Sequence, residues 1–173
     1  DSERRVLIGQ SGLLSDTTAP DHHAIYTAGQ QEYRLGNGAD ELRVDLHWRS
    51  KEGIEVIKTY VFKRNSYLIS VEHQVINKSA SDWQGHQYLQ LQRTRPGDDE
   101  SARFIYTYTG GVIYSDAEKY EKIDFDDMDD GNLSCDINSG WAAMIQHYFF
   151  TAWLPPEKQK FQYYSRAPEN RPY

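Results

Sequence analysis

The stretch Glu41–Arg49, which reads ELRVDLHWR, decides the fold because its apolar and charged residues alternate without a break. One side of an extended chain here carries only apolar side chains: Leu42, Val44, Leu46 and Trp48. A period of two with charges on the opposite side is typical of a β-strand with one buried face. We therefore expect a half-buried strand over residues 41–49.

Similar patterns follow this strand along the chain. Ile54–Lys63 and Tyr67–Ile76 read as two further strands, and the short polar segment Arg64–Ser66 between them predicts a β-hairpin. Gly110-Gly111 is expected to form a turn. The remaining predicted strands are Trp83–Arg93, Phe104–Thr109, Val112–Tyr114, Trp141–Ile145, Tyr148–Leu154 and Lys160–Ser165.

Few helices are expected. Ser115 followed three residues later by Glu118 has the form of a capping box, which predicts a short helix over Asp116–Glu121. Strands and helices do not alternate, so a parallel α/β sheet is not expected. The pattern predicts an all-β fold of antiparallel sheets packed face to face, with one or two short helices. A length of 173 residues suits a single domain over 1–173.

The composition excludes some partners. The formal net charge is −7, whereas binding to a nucleic-acid backbone needs a basic face. The same charge disfavours docking on anionic lipids. Cys135 is the only cysteine, so no internal disulfide forms. No apolar run approaches the ~20 residues that a membrane-spanning helix needs.

The candidates for metal or nucleophile chemistry are weak. Placing Gly131 as the glycine of an EF-hand loop puts Met128 and Ile137 at ligand positions, so the acidic run Asp124–Asp130 is predicted to be a solvated loop without calcium. No paired zinc-ligand spacing occurs among the histidines, and no histidine lies beside Cys135 in sequence. We expect no metal and no cofactor. The histidines are His22, His23, His47, His73, His86 and His147.

Three blocks resemble one protein family. They are Leu7–Leu13, Ala117–Phe125 and the aromatic block Gly140–Pro155, in which Gly-Trp, Gln-x-Tyr-Phe and Ala-Trp-x-Pro recur in the family's order. The chain resembles the large periplasmic domain of the YidC-type membrane protein insertases of Gram-negative bacteria. That resemblance implies a β-supersandwich similar to galactose mutarotase-like domains.

The resemblance also implies a function. It implies a non-catalytic domain at the periplasmic face of the inner membrane, tethered by membrane helices outside this sequence. It would assist insertion and folding of inner-membrane proteins by docking to SecD/SecF and the Sec translocon, with possible contact to nascent segments. Trp141, Tyr148 and Trp153, with Phe149, are candidates for a cleft or a partner-facing surface. Core packing is the favoured alternative for these aromatics, and a buried helix is an alternative for the block.

Two other functions remain open. A mutarotase-like domain that binds or epimerises sugars would need an acid and a base across a cleft. The candidates for that pair are Glu72, His73, His86 and His147, although Glu72 and His73 are neighbours on one strand and cannot both face a cleft. A periplasmic chaperone-like module would instead bind extended apolar segments without sequence preference.

Overall fold

A computed structural model describes residues 6–95, 108–117, 119–131, 133–146 and 148–167. The part of the chain that precedes the acidic run contains β1 (Leu7–Leu14), β2 (Thr27–Ala28), β3 (Glu41–Arg49), β4 (Ile54–Lys63), β5 (Ile69–Asn77), β6 (His86–Arg93), β7 (Thr109–Ser115) and β8 (Lys119–Ile123). It is followed by a helix, α1 (Phe125–Asp130), and by β9 (Ser134–Asn138), β10 (Gly140–Gln146), β11 (Phe149–Trp153) and β12 (Lys160–Tyr164).

The chain divides into two compact units. The first unit comprises Asp1–Gln10 with Leu89–Tyr173, and the second unit comprises Ser11–Tyr88. Strands β1 and β6 pair with each other, and the boundary between the units falls within both strands.

The second unit is built on one antiparallel sheet with the order β2-β3-β4-β5. The predicted strands over 41–49 and 54–63 match β3 and β4. Strands β4 and β5 pair as the predicted hairpin, and Asn65 in its turn has φ 58°. Asparagine tolerates this left-handed conformation better than most residues, which suits it to the turn.

The core of the second unit lies on the apolar face that the alternation of β3 predicts. Val56 has an exposed fraction of 0% and packs with buried Leu13 and Ile54. The partly buried side chains around this cluster are Ala19, Trp48, Val75 and Trp83. The apolar face of the sheet is therefore covered by the end of β1 and by the segment before β6.

The first unit contains a four-stranded sheet with the order β11-β10-β7-β8 and a two-stranded sheet of β12 and β9. Ile113 and Met144 from the larger sheet pack with Ile137 from the smaller one. Phe125 and Met128 of α1 complete this core. Both units are thus built on antiparallel strands, which confirms the all-β class and the strand assignment of the aromatic block.

The predicted helix over 116–121 is wrong. Ser115 ends β7, a turn follows at 116–117, and β8 begins at Lys119 with φ 59°. Strand β8 pairs antiparallel with β7, so that Tyr114 lies opposite Tyr120. Pairing with a buried strand outweighs the local capping signal, since helix propensity is a weak preference that tertiary contacts override. Glu118 itself lies outside the described residues.

The helix forms instead in the acidic run that was predicted to be a loop. The Asp124 side chain accepts a hydrogen bond from the Asp127 amide at 2.9 Å, and the Asp127 side chain accepts one from the Asp124 amide at 3.1 Å. This reciprocal pair is a capping box built from two aspartates. Buried Phe125 and Met128, three residues apart, place one face of the helix against the core.

Gly110 and Gly111 also depart from the prediction, because both lie inside β7 rather than in a turn. A Cβ on Gly110 would lie 2.5 Å from the Tyr108 hydroxyl oxygen, so a close approach of the Tyr108 side chain requires glycine there. The Tyr108 hydroxyl donates toward the Gly111 carbonyl at 2.6 Å. Most of the predicted strand over 104–109 lies outside the described residues. Strands β1, β2 and β9 were not predicted.

Candidate interaction surface

Three aromatic side chains project into solvent at one edge of the four-stranded sheet. Strand β11 is the last strand of that sheet and pairs only with β10 among the described strands. The exposed fractions of Tyr148, Phe149 and Phe150 are 83%, 74% and 71%. We call these three residues the aromatic edge. The block Gly140–Pro155 therefore contains both core and surface, since Ala143 and Met144 of β10 are buried.

Within the described residues, the aromatic edge carries neither a charge nor a proline. Natural edge strands carry charges, prolines or bulges that prevent pairing with another chain. No Asp, Glu, Lys or Arg occurs between Gly140 and Leu154, and the first proline is Pro155, beyond the end of β11. An uncharged edge with exposed aromatics on successive positions, and hence on both faces of the strand, is suited to binding an extended apolar segment.

Trp141 lies deeper in the same sheet. Its ring stacks on Tyr114 of β7 with centroids 5.6 Å apart and planes 6° apart. Tyr120 of β8 contacts the indole edge-on at 6.5 Å. The three rings follow the cross-strand register, in which Trp141 lies opposite Tyr114 and Tyr114 opposite Tyr120. Trp141 is half-buried, so its main contacts stabilise the sheet.

Trp153 is held by specific contacts. Its indole Nε1 donates a hydrogen bond to the Gln90 carbonyl oxygen at 2.9 Å. The ring packs closely over Gly9, where a Cβ would lie 3.7 Å from Cζ2. Trp153 is half-buried, and these contacts fit the core-packing alternative better than a partner-facing role. Of the three predicted surface aromatics, Tyr148 is the most exposed, with an exposed fraction of 83%.

Glu72 and His73, two of the candidates for the acid–base pair, lie on opposite faces of β5. The Glu72 carboxylate accepts a hydrogen bond from Arg43 at 2.6 Å on the outer face of the second unit's sheet. The adjacent His73 is half-buried on the opposite face, as neighbouring residues on a strand must be. Burial, together with the nearby charge of Lys58, lowers the pKa of His73 to about 4. His86 is exposed, and His147 lies outside the described residues.

A shallow cavity of about 280 Å³ lies beside β3 and β4 and is lined in part by His47 and Glu55. The Glu55 carboxylate receives hydrogen bonds from Lys78 and Arg49, each at 2.9 Å. These cations, Lys78 first, lower the pKa of Glu55 despite its partial desolvation. A carboxylate that is held ionised by two cations is a poor general acid.

The remaining candidates are structural. Cys135 in β9 lies opposite Tyr163 of β12, and burial, followed by the charges of Glu121 and Asp136, raises the pKa of its thiol. A thiol with a raised pKa is a poor nucleophile. In the acidic helix, Asp129 pairs with Arg95 at 2.6 Å, and Asp126 pairs with the same guanidinium. Over the described ranges, no group of three His, Cys, Asp or Glu residues is arranged to hold a metal ion.

The described residues define an all-β class of protein built on antiparallel sheets, in which strand β11 of the first unit carries exposed aromatic side chains. The sequence model of the YidC periplasmic domain matches residues 1–172. The chain is 48% identical over 175 residues to the membrane protein insertase YidC of Alkalilimnicola ehrlichii, covering 100% of this chain and 31% of that protein. It is 45% identical over 168 residues to the insertase of Methylococcus capsulatus, covering 96% of this chain and 31% of that protein.

The chain belongs to the YidC periplasmic domain family. This membership confirms the resemblance and places the chain on the periplasmic side of the inner membrane. The relatives are named membrane protein insertases, which are not enzymes, and the sugar-handling alternative is not favoured. The chain spans about a third of the length of these relatives. Within the described ranges, no helix has the length and apolarity to cross a membrane.

Proposed function

We propose that this chain is the non-catalytic periplasmic domain of a membrane protein insertase, in which it assists the insertion and folding of inner-membrane proteins. The domain acts by docking to SecD/SecF of the Sec translocon, and it is tethered by membrane helices elsewhere in the same polypeptide. Both units belong to one domain in this proposal, because the family match covers nearly the whole chain. The names and greater length of the relatives support the insertase role.

The single observation that carries the docking proposal is the aromatic edge. Tyr148, Phe149 and Phe150 are each more than two-thirds exposed, and contiguous exposed apolar side chains are a feature of interaction sites. Among the described strands, β11 pairs only with β10. Its outer backbone groups are therefore available to pair with a strand of a partner. Backbone hydrogen bonds and aromatic contacts then combine in one binding mode.

The test is site-specific photocrosslinking in living cells with the full-length protein. A photoreactive amino acid replaces Tyr148, Phe149 or Phe150 in turn, and crosslinked partners are identified by mass spectrometry. Tyr67 is the matched control, because it is a fully exposed aromatic residue in the second unit. We expect crosslinks to SecD or SecF at the three edge positions and none at Tyr67.

Two other outcomes are informative. Crosslinks from the aromatic edge to many nascent chains, without SecD or SecF, would replace docking by a chaperone-like function. Silence at all three edge positions, with crosslinks elsewhere on the domain, would refute the aromatic edge as the docking surface. Membership of the YidC periplasmic domain family does not depend on either result.

A further inference from the structure

The hairpin of β4 and β5 ends in a continuous run of exposed residues. Every residue from Phe62 to Ile69 is exposed, and we call this run the hairpin end. Its apolar members are Phe62, Tyr67, Leu68 and Ile69, with exposed fractions of 37%, 106%, 58% and 48%. Single exposed apolar residues are normal on a protein surface, whereas contiguous ones are a feature of interaction sites.

The hairpin end continues the apolar face of the second unit's sheet beyond its core. That face is closed around Val56, whose exposed fraction is 0%. Phe62 lies further along the same face of β4, between Leu42 and Ile69 in the register. Both Phe62 and Ile69 are exposed, so the inner face is covered at one end of β4 and open at the other.

The hairpin end carries two cations and no acidic residue. Lys63 is exposed and forms no ion pair within the described ranges. The Arg64 guanidinium donates hydrogen bonds to the carbonyl oxygens of Ala39 and Gly36, each at 2.9 Å. These bonds hold the segment before β3 against the turn, and they leave the positive charge of Arg64 without a carboxylate among the described residues.

The adjoining strand ends supply the acids Asp40, Glu41 and Glu72. Arg43 pairs with two of them, with Glu41 at 3.4 Å and with Glu72 at 2.6 Å. Charges beyond about 8 Å are largely screened at physiological ionic strength, so the net charge of −7 acts only weakly at the hairpin end. The local charges nearly balance. Apolar contact, rather than net attraction, must therefore supply the binding energy, which favours a neutral amphipathic partner.

A phospholipid surface is a partner of this kind. Tyrosine rings favour the boundary between headgroups and acyl chains, and aliphatic side chains beside them reach the acyl chains. A lysine next to this boundary keeps its ammonium group at the level of the phosphates. The exposed turn is convex and offers no groove for a peptide. The family membership of the chain places it on the periplasmic side of the inner membrane, beside such a surface.

We propose that the hairpin end inserts into the interfacial layer of the phospholipid bilayer beside which the domain lies. Tyr67 and Leu68 enter the boundary between headgroups and acyl chains, and the Lys63 ammonium group contacts lipid phosphate. The contact holds the second unit at the membrane surface. The proposal rests on the proposed function in one respect, namely that membrane helices of the same polypeptide tether the domain to this bilayer.

The experiment uses the full-length protein in phosphatidylcholine nanodiscs, without SecD or SecF. A fluorescent amino acid replaces Tyr67, and a nitroxide group on the acyl chains of some of the lipids acts as the quencher. Lys51 is the matched control position, because it is exposed in the turn at the opposite end of β4. A strand of 10 residues separates the two turns by roughly 30 Å. We expect the lipid nitroxide to quench fluorescence at position 67 and not at position 51.

Leu68→Asp tests whether the apolar side chains make the contact. It places a carboxylate at an exposed position, and the hydrogen bond from the backbone amide of residue 68 to Ser66 Oγ does not involve the substituted side chain. We expect this variant to abolish the quenching at position 67. Ile25→Asp is the control, because it makes the same change at an aliphatic residue with an exposed fraction of 91% outside the hairpin end, and it should leave the quenching unchanged.

Several results would overturn the proposal. They are an absence of quenching at position 67, equal quenching at positions 51 and 67, unchanged quenching in Leu68→Asp, and an equal loss in Ile25→Asp. Shielding of position 67 from aqueous iodide without quenching by the lipid nitroxide would assign the hairpin end to a protein partner instead.

The proposed function is tested separately from this contact. Crosslinks from the aromatic edge to SecD or SecF are measured in cells, whereas the nanodiscs contain neither protein, so docking to SecD/SecF and insertion of the hairpin end can fail independently. Failure of the full-length protein to enter nanodiscs would contradict the tether and would overturn both proposals.

Discussion

Truncation of Val56 to alanine tests the core of the second unit. Val56 has an exposed fraction of 0% and contacts a cluster that includes Leu13 and Ile54. Val56→Ala deletes two methyl groups, which at ~0.8 kcal/mol each accounts for ~1.6 kcal/mol of lost apolar transfer energy. The side chains of this cluster pack around Val56, so the vacated space collapses only in part and a cavity term adds to the loss. We expect a total loss of about 2–3 kcal/mol in the free energy of unfolding.

The assay is native-state hydrogen exchange at the amides of β4 and β5, because exchange reports stability strand by strand and does not assume that both units unfold together. Ile25→Ala is the control, since Ile25 is an aliphatic residue in the same unit with an exposed fraction of 91%. Its truncation should change the free energy of unfolding by less than about 0.5 kcal/mol.

The reasoning would be refuted by either of two results. A loss below about 0.5 kcal/mol for Val56→Ala would mean that β3, β4 and β5 do not bury this face against a packed layer. An equal loss for Ile25→Ala would mean that the Ile25 side chain is buried in the folded protein.

Two further predictions concern the first unit's sheet and the inner face of the second. Gly140→Ala would place a Cβ against the Tyr114 carbonyl oxygen, so we expect the free energy of unfolding, measured with urea, to fall by about 1–3 kcal/mol. Gly36→Ala is the control and should be nearly neutral, because the space around Gly36 is open. Because the folded-state pKa of His73 is about 4 and its unfolded value is about 6.5, stability should be full above pH 6.5 and fall by about 1–2 kcal/mol as the pH drops from 6.5 to 4. His73→Gln should remove that fall in a series of urea unfolding curves measured at different pH. If the free energy of unfolding of the variant still falls equally with pH, burial of the His73 ring is contradicted.

The second unit's sheet could be predicted from sequence because its information is local. The alternation in Glu41–Arg49 and Ile54–Lys63 specifies both the strand and its buried face, and Arg64–Ser66 is short enough to specify the hairpin. The capping signal at Ser115 failed because it describes only four residues, whereas β8 exists by pairing with β7. The helix in the acidic run was missed because aspartate is a weak helix former, and burial of Phe125 and Met128 supplies the stability.

The exposure of the aromatic edge could not be predicted in the same way. A continuous apolar run carries no alternation, so the sequence does not distinguish a strand with two buried faces from one at the edge of a sheet. The position of β11 follows from the strand order, which is set by contacts between residues far apart in sequence. Burial of Ala143 and exposure of Phe150 therefore arise in a single block of similar composition.

The burial of Lys58, in contrast, has a signal in the sequence. In Ile54–Lys63 every second residue from Ile54 faces inward, and position 58 interrupts that apolar series with a cation. Natural sequences depart from their own pattern mainly where function or a special interaction compensates for the cost. The aromatic edge departs from the pattern in the opposite sense, because its apolar side chains are exposed to solvent. The buried charge of Lys58 and the exposed aromatic side chains of the β11 edge are thus two positions, among the described residues, at which this chain departs from its own pattern of burying apolar and exposing charged side chains.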